Sequence, residues 1–426
     1  MGAMPNRLSL IMAKRWSPHV VLFAFAMIVR TAWVVTVRRV GFAFGDALNY
    51  HVAATSVARG KGYQTLRDAP SARWPPGYTT LLAGVYRVFG VDPRWGELLN
   101  ALLGAITVVL LVVVVGRWID RTTAIVAGVI LAILPGPIIW TDLVVSETLY
   151  MMLFVLMFAV LAYATPRWPW LIALGVVIGL GGLVRGEALT WGLLPIVLWL
   201  KQLSLADLTK RIGAIAIVTV LVLMPWTIRN AVVMDAFVPV ATNASETLWA
   251  GHNPSATGGQ VYPPDAYYAR FEDLPADQWE LEISSALRAD ALSYMVKHPI
   301  RELELIPLKL IHLNRGDSYS LDWVNTGAEA GPIGAIDAER IGVLADFGYF
   351  GLLTLTLLGA VLLGRSFWRA AVGRCIAASF LTALVLYGFV YYGNYRYRLA
   401  YEPLMVIVAA TLVTRLWRVR RGTVAA

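Results

Sequence analysis

Cysteine is almost missing from this chain. Its one residue, Cys375, lies inside a hydrophobic run, which excludes an internal disulfide and a cysteine-based metal site. Charge is sparse too, at 15% of residues against about 25% in a soluble globule. No Walker A loop, no Gly-x-Gly-x-x-Gly and no His-Glu-x-x-His occurs. The histidines, His19, His51, His252, His298 and His312, are scattered. Zinc chemistry is therefore disfavoured, and no metal or other cofactor is expected.

What is present is apolar. Of 426 residues, 58% are hydrophobic, and the mean hydropathy is +0.64. A helix needs about 20 apolar residues to cross ~30 Å of hydrocarbon. Ten runs approach or reach that length: 19–37, 97–116, 122–140, 146–163, 170–184, 187–200, 212–228, 343–363, 375–392 and 399–417. The runs at 170–184 and 187–200 are short, and the Arg185-Gly186-Glu187 hinge between them is a candidate for insertion into the bundle. The expected fold is an all-α polytopic membrane protein of about ten transmembrane helices.

Charge orients it. With the N-terminus inside, the inner segments hold sixteen basic residues, from Arg7, Lys14 and Arg15 to Arg415, Arg418, Arg420 and Arg421. They hold only two acids, Asp120 and Asp207. This is a positive-inside pattern with both termini cytoplasmic. The net charge of +9 is thus an orientation signal, and nucleic acid is not an expected partner. Inner loops are too short to build a site. The long segments, 38–96 and 229–342, are both outer, where nucleotide-activated donors are not normally available. The expected division is an N-terminal core at 1–228 that includes loop 38–96, an extracytoplasmic region at 229–342, and C-terminal helices with a basic tail at 343–426. In the outer region, 277–296 and 299–313 space apolar residues (Trp279, Ile283, Leu287; Ile300, Leu303, Ile306, Leu310) as amphipathic helices do. They either cap the bundle, the favoured reading, or lie on the outer leaflet.

Several residues at the outer ends have the chemistry of a reaction centre. Asp46 follows the first span. It suits either the N-cap of a helix starting near Ala47 or a general base, worth roughly 10²–10⁴ in rate. Glu147, with Asp142 nearby, opens the fourth span, either as a helix start or as a second carboxyl. Arg73, Arg185, Arg229, Arg396 and Arg398 fall at outer span ends or in the first outer loop. Singly, each suits snorkelling to headgroups. Together they suit a lipid phosphate, because guanidinium forks bind phosphate bidentately and stay charged. Arg30, inside the first span, reads as snorkelling or structurally paired, and Gly175 with Gly179 reads as a helix-packing pair.

The ordered set Gly45-Asp46…Tyr50, Arg73-Trp74-Pro75-Pro76-Gly77-Tyr78, Ser146-Glu147-Thr148-Leu149, Leu183-Val184-Arg185-Gly186-Glu187, Pro225-Trp226-Thr227-Ile228-Arg229-Asn230 with Gly251-His252-Asn253-Pro254, and Arg396-Tyr397-Arg398 with Glu402-Pro403 resembles the GT-C superfamily of integral-membrane glycosyltransferases. The branch it is most similar to holds the protein O-mannosyltransferases, the aminoarabinose transferases and their bacterial relatives. The resemblance implies a GT-C-like bundle with juxtamembrane helices in the first outer loop and a partly helical second outer loop. It implies an inner or plasma membrane location in a bacterium. It implies a catalytic carboxylate at Asp46, a second acid at Glu147, and substrate contacts among Tyr50, His51, Trp74, Tyr78 and Asn253. The implied reaction moves a sugar, hexose or pentose, from a polyprenyl-phosphate donor to a glycan, lipid or protein hydroxyl. Many relatives have an acidic pair where this chain has Asp46-Ala47, a departure that weighs against a two-carboxylate or metal-assisted site. The rival is a transporter or flippase for a lipid-linked or anionic substrate, a class that usually buries charges at the bilayer midplane. Here only Arg30 lies in such a place.

Overall fold

The computed structural model describes residues 7–37, 45–64, 69–325 and 333–422. The first long helix, α1 (Arg7–Thr36), is followed by two short helices of the outer loop, α2 (Gly45–Ala58) and α3 (Pro76–Phe89). Pro76 opens α3 at its first position, where a missing N–H costs nothing. The bundle continues with α4 (Pro93–Trp118), α5 (Arg121–Ile133), α6 (Pro135–Ile139), α7 (Glu147–Tyr163), α8 (Trp168–Val184), α9 (Leu193–Trp199) and α10 (Leu205–Met234). Asp92, Asp120 and Ser204 cap α4, α5 and α10, each accepting a hydrogen bond from a first-turn N–H. The second outer segment folds as α11 (Ala244–Gly251), α12 (Asp265–Ala269), α13 (Ala276–Lys297), α14 (Pro299–Leu313) and α15 (Tyr319–Asn325). The chain closes with α16 (Ala335–Leu362), α17 (Gly364–Arg369), α18 (Ala371–Val385), α19 (Tyr395–Arg398) and α20 (Glu402–Arg420).

All ten apolar runs are helical, but they are not alike. Among the described residues six helices are long and apolar enough to span a membrane, and α5 with the Pro135–Asp142 segment makes a seventh, bent by 54°. The runs at 146–163, 170–184 and 187–200 form shorter apolar helices. The bend has an identifiable cause. Pro135 and Pro137 cannot donate to the last carbonyls of α5, so those acceptors need other partners. Arg30, buried in α1, donates to Leu131 O and Ala132 O, both at 3.2 Å. Its guanidinium lies over Gly104 of α4, where a Cβ would meet Nε at 2.5 Å. Arg30 is therefore structurally paired.

Gly175 and Gly179 also do what their spacing implies. A Cβ on either would stand 2.6 Å from Val218 or Val222, so α8 and α10 pack at backbone distance. Gly77 in α3 plays the same part against the end of α8, where a Cβ would meet Leu183 O at 2.8 Å. That contact brings the Trp-Pro-Pro-Gly-Tyr turn beside Arg185.

The basic helix ends gather at one end of the bundle. Arg418 pairs with Asp120 at 2.7 Å, Arg415 donates to Leu363 O, and Arg374 reaches Leu198 O. The outer-loop helices and α11–α15 occupy the other end. Of the two amphipathic helices, α13 buries Ile283 and Leu287 in a cluster with Trp249 of α11, apart from the main core. Helix α14 meets the bundle in part. Ile306 and Leu310 reach Gly388, but Ile300 and Leu303 are exposed, and the deeply buried positions are Leu305, Lys309 and Leu313.

Candidate active site

The end of the bundle opposite the basic helix ends holds a cavity of about 190 Å³ walled by α2, the Arg73–Pro75 turn, the Arg185–Glu187 hinge, α11, Gln260–Pro263 and the Tyr391–Tyr397 segment. Asp46 sits in the first turn of α2. Its carboxylate does not cap the helix but accepts from Arg396 Nη1 at 2.8 Å. Arg396 also donates to Glu147 Oε1 through Nε at 2.7 Å and Nη2 at 2.5 Å. Arg185 reaches the same oxygen at 2.9 Å and uses its Nε on Glu187 at 3.1 Å. One buried carboxylate thus aligns two guanidiniums. Glu147 itself does not line the cavity. It lies behind Arg396, 3% exposed, and its Oε2 has no hydrogen-bond partner among the described residues.

Tyr150 and Tyr397 flank Arg185, their ring centroids 5.6 and 5.2 Å from its guanidinium carbon. Aromatic faces hold a guanidinium without neutralising it. Opposite, Arg73 pairs with Glu246 at 2.9 Å. Burial raises the Glu246 carboxyl above the usual range, and Arg73 pulls it back. Tyr50 completes the floor. Its hydroxyl donates to Ser146 Oγ at 3.2 Å, and its ring packs on Trp74 and edge-on to Tyr78.

The cavity therefore brings together Asp46, Tyr50, Arg73, Trp74, Arg185 and Arg396, with Glu147 one layer behind. Five other residues singled out in the sequence stand elsewhere. Arg398 is two positions from Arg396 on a short helix, about 200° around the axis at 100° per residue, and so faces away. It pairs with Asp317 and with Glu402, the latter at 3.2 Å, and ties the last span to the turn before α15. Arg229 donates to Ser71 O at 2.8 Å and Tyr63 O at 3.0 Å, clamping the loop that carries Arg73. Tyr78 is buried below Tyr50 and donates to Asn100. His51, one residue past Tyr50, turns to Tyr86 OH at 2.8 Å. Asn253 is buried and satisfied by Trp249 O and Ser255 N. Among the described residues no three His, Cys, Asp or Glu side chains are grouped to hold a metal ion.

The sequence profile of the dolichyl-phosphate-mannose-protein mannosyltransferase family matches residues 73–228, the stretch that carries Arg73, Glu147 and Arg185. Among solved structures, the apo oligosaccharyltransferase of Archaeoglobus fulgidus superposes with a TM-score of 0.55 at 11% identity, over 95% of this chain and 51% of that one. The chain has the GT-C fold. The same archaeal enzyme, AglB, in complex with an inhibitory peptide and a dolichol-phosphate, matches at 0.51 and 12% identity, over 97% and 52%. ArnT from Cupriavidus metallidurans, bound to undecaprenyl phosphate, matches at 0.47 and 16% identity, over 93% and 78%. This chain spans about half the length of the archaeal enzyme. No curated protein matches in sequence.

Within this GT-C fold some cavity residues had no assigned role in the sequence reading. Glu187 was legible in principle, since it shares a motif with Arg185. Glu246, Tyr262, Tyr391 and Tyr392 had no local signal. Glu246 of α11 and the Tyr391–Tyr392 segment reach the cavity together, α11 lying against that segment, where a Cβ on Gly251 would meet Tyr391 O at 2.9 Å.

Proposed function

We propose that this chain is an inverting glycosyltransferase that moves a sugar from a polyprenyl-phosphate donor to a hydroxyl acceptor at the extracytoplasmic face of a bacterial inner membrane. The observation that carries the reading is the cavity in which a half-buried Asp46 faces Arg73, Arg185 and Arg396, at the end opposite the basic helix ends. The GT-C fold, the mannosyltransferase profile over 73–228 and the dolichol-phosphate held by AglB support it.

In this reading the donor phosphate lies against the guanidiniums, and the acceptor oxygen attacks the anomeric carbon from the opposite side. The new C–O bond forms as the bond to phosphate breaks. The electron pair leaves on the phosphate oxygen, and the acceptor's proton passes to Asp46. The arginines stabilise the growing phosphate charge, an electrostatic role that demands prior alignment. Glu147 supplies that alignment as a positioning residue. Arg229 and Arg398 hold the scaffold. Polyprenyl phosphate is a good leaving group, so no general acid is required.

The test is incubation of the purified protein with radiolabelled polyprenyl-phosphate sugars and membrane extract. Label should move to an acceptor, and Asp46→Asn should lower transfer by roughly 10²–10⁴ while donor binding persists. Normal turnover in that variant removes Asp46 as base. Counterflow of labelled lipid in liposomes, with no transfer, favours the transporter.

A further inference from the structure

We infer that a second cavity, across the Arg73–Trp74 turn from Asp46, is the acceptor subsite, and that it takes a saccharide. The inference rests on the transfer reaction proposed above. This cavity, of about 220 Å³, lies between α2, the loop around Tyr63 and Gln64, and the start of α13. Arg73 and Trp74 line both cavities.

Two features connect the spaces. Asp46, Asn49, Tyr50 and Ala53 fall at i, i+3, i+4 and i+7, on one face of α2. Asp46 and Tyr50 open on the first cavity, Asn49 and Ala53 on the second. A molecule lying along α2 therefore has one end beside the proposed base. Above it, Tyr268 of the first cavity stacks on Trp279 of the second, with centroids 6.2 Å apart and planes at 19°.

The lining selects the class of molecule. Tyr63, Trp74 and Trp279 offer aromatic faces, whose negative quadrupole attracts the partly positive C–H groups of a pyranose ring. Asn49 offers an amide, which donates and accepts as hydroxyl groups require, and Gln64 offers its amide nitrogen, its oxygen accepting from Ser56 Oγ at 3.0 Å. Two charged residues, Arg73 and Glu280, line the cavity among the described residues. Glu280 accepts from Ser71 Oγ at 2.7 Å, Ala72 N at 3.1 Å and Thr242 Oγ1 at 2.8 Å, and Arg73 is held by Glu246. The volume is below the roughly 300–1,000 Å³ of sites for drug-sized ligands, and so suits one sugar ring, with the rest of an acceptor outside.

The chain's single cysteine is buried, so Asn49→Cys introduces the accessible thiol. In lipid nanodiscs free of glycoside detergent, its maleimide labelling is timed against a panel of p-nitrophenyl glycosides, an acetylated Ser/Thr peptide amide and undecaprenyl phosphate. At least one glycoside should slow labelling about fivefold or more, and the other two should not. Trp279→Ala should raise the KM for that glycoside about tenfold with donor KM unchanged, and Trp279→Phe should restore most of it. Protection by the peptide or lipid but by no glycoside overturns the inference, as does an acceptor KM indifferent to Trp279→Ala. Glycoside protection without label transfer from any donor leaves the subsite standing and removes the transferase reading. Transfer without protection does the reverse.

Discussion

At the scale of single residues, two arginines in one short motif do different work. Arg396 touches Asp46 and Glu147 from inside the cavity, whereas Arg398 is buried against Asp317, Glu402 and the Tyr349 ring. Arg396→Lys cannot reproduce three donors in a plane, and a charge-assisted hydrogen bond is worth about 1.5–3 kcal/mol. Transfer should fall by roughly 10–100-fold in single-turnover kinetics, with little change in melting temperature. Arg398→Met leaves two carboxylates without their cation. Losing one partner of a buried pair costs about 3–5 kcal/mol, so this variant should melt markedly lower in detergent. Equal loss of activity from both variants at unchanged stability would contradict the division of roles.

At the scale of elements, the site depends on breaks in helices. The bend after α5 leaves carbonyls that Arg30 satisfies from α1. Arg30→Leu should destabilise by about 1–3 kcal/mol for the orphaned acceptors, partly offset by removal of a buried charge. Thermal unfolding in detergent measures it. Helix α8 ends at the hinge that presents Arg185, and its position is set by contact with α10. Gly179→Leu would push a side chain into Val222, where over-packing costs about 1–3 kcal/mol. Donor KM should rise with the loss of stability, because the hinge moves with the helix. The helices themselves were legible from apolar runs and proline positions. The short runs at 170–184 and 187–200 were legible too, but the bend after α5 was not. A run of apolar residues records burial in lipid or protein without saying where the backbone turns.

At the scale of the whole molecule, buried polar clusters lock the outer segment onto the bundle. Lys309 of α14 is fully buried, with Nζ 3.3 Å from His252 Nε2, and His252 in turn binds Glu302 at 2.6 Å and contacts Val390 O at 3.0 Å. Burial lowers the Lys309 ammonium to about 8 from 10.5. Because the folded value is depressed, the unfolded chain binds more protons between pH 8 and 10.5. The contribution to stability therefore rises across that window and is lost as pH falls through 8, by on the order of 3 kcal/mol. Lys309→Met should flatten this part of the stability profile relative to the parent, read as the difference in melting temperature between pH 8 and pH 10.5.

Sequence alone determined the helical, membrane-embedded class, because apolar runs of spanning length have no stable alternative to the helix in lipid. It marked Gly175 and Gly179 as a helix-packing pair, since two glycines four apart make a groove, and the structure named α10 as the partner. It also placed Asp46 and the arginines near helix ends. Only the tertiary structure decided which of them meet. Asp46 and Arg396 are 350 residues apart in the chain, and Glu147 and Arg396 are 249 apart. A helix turns 100° per residue, so the facing of each side chain is set by what its helix packs against. That is why Arg396 joins the cavity while Arg398 and Arg229 hold its frame, and why Asp46 caps no helix end but meets a guanidinium supplied by the far end of the chain.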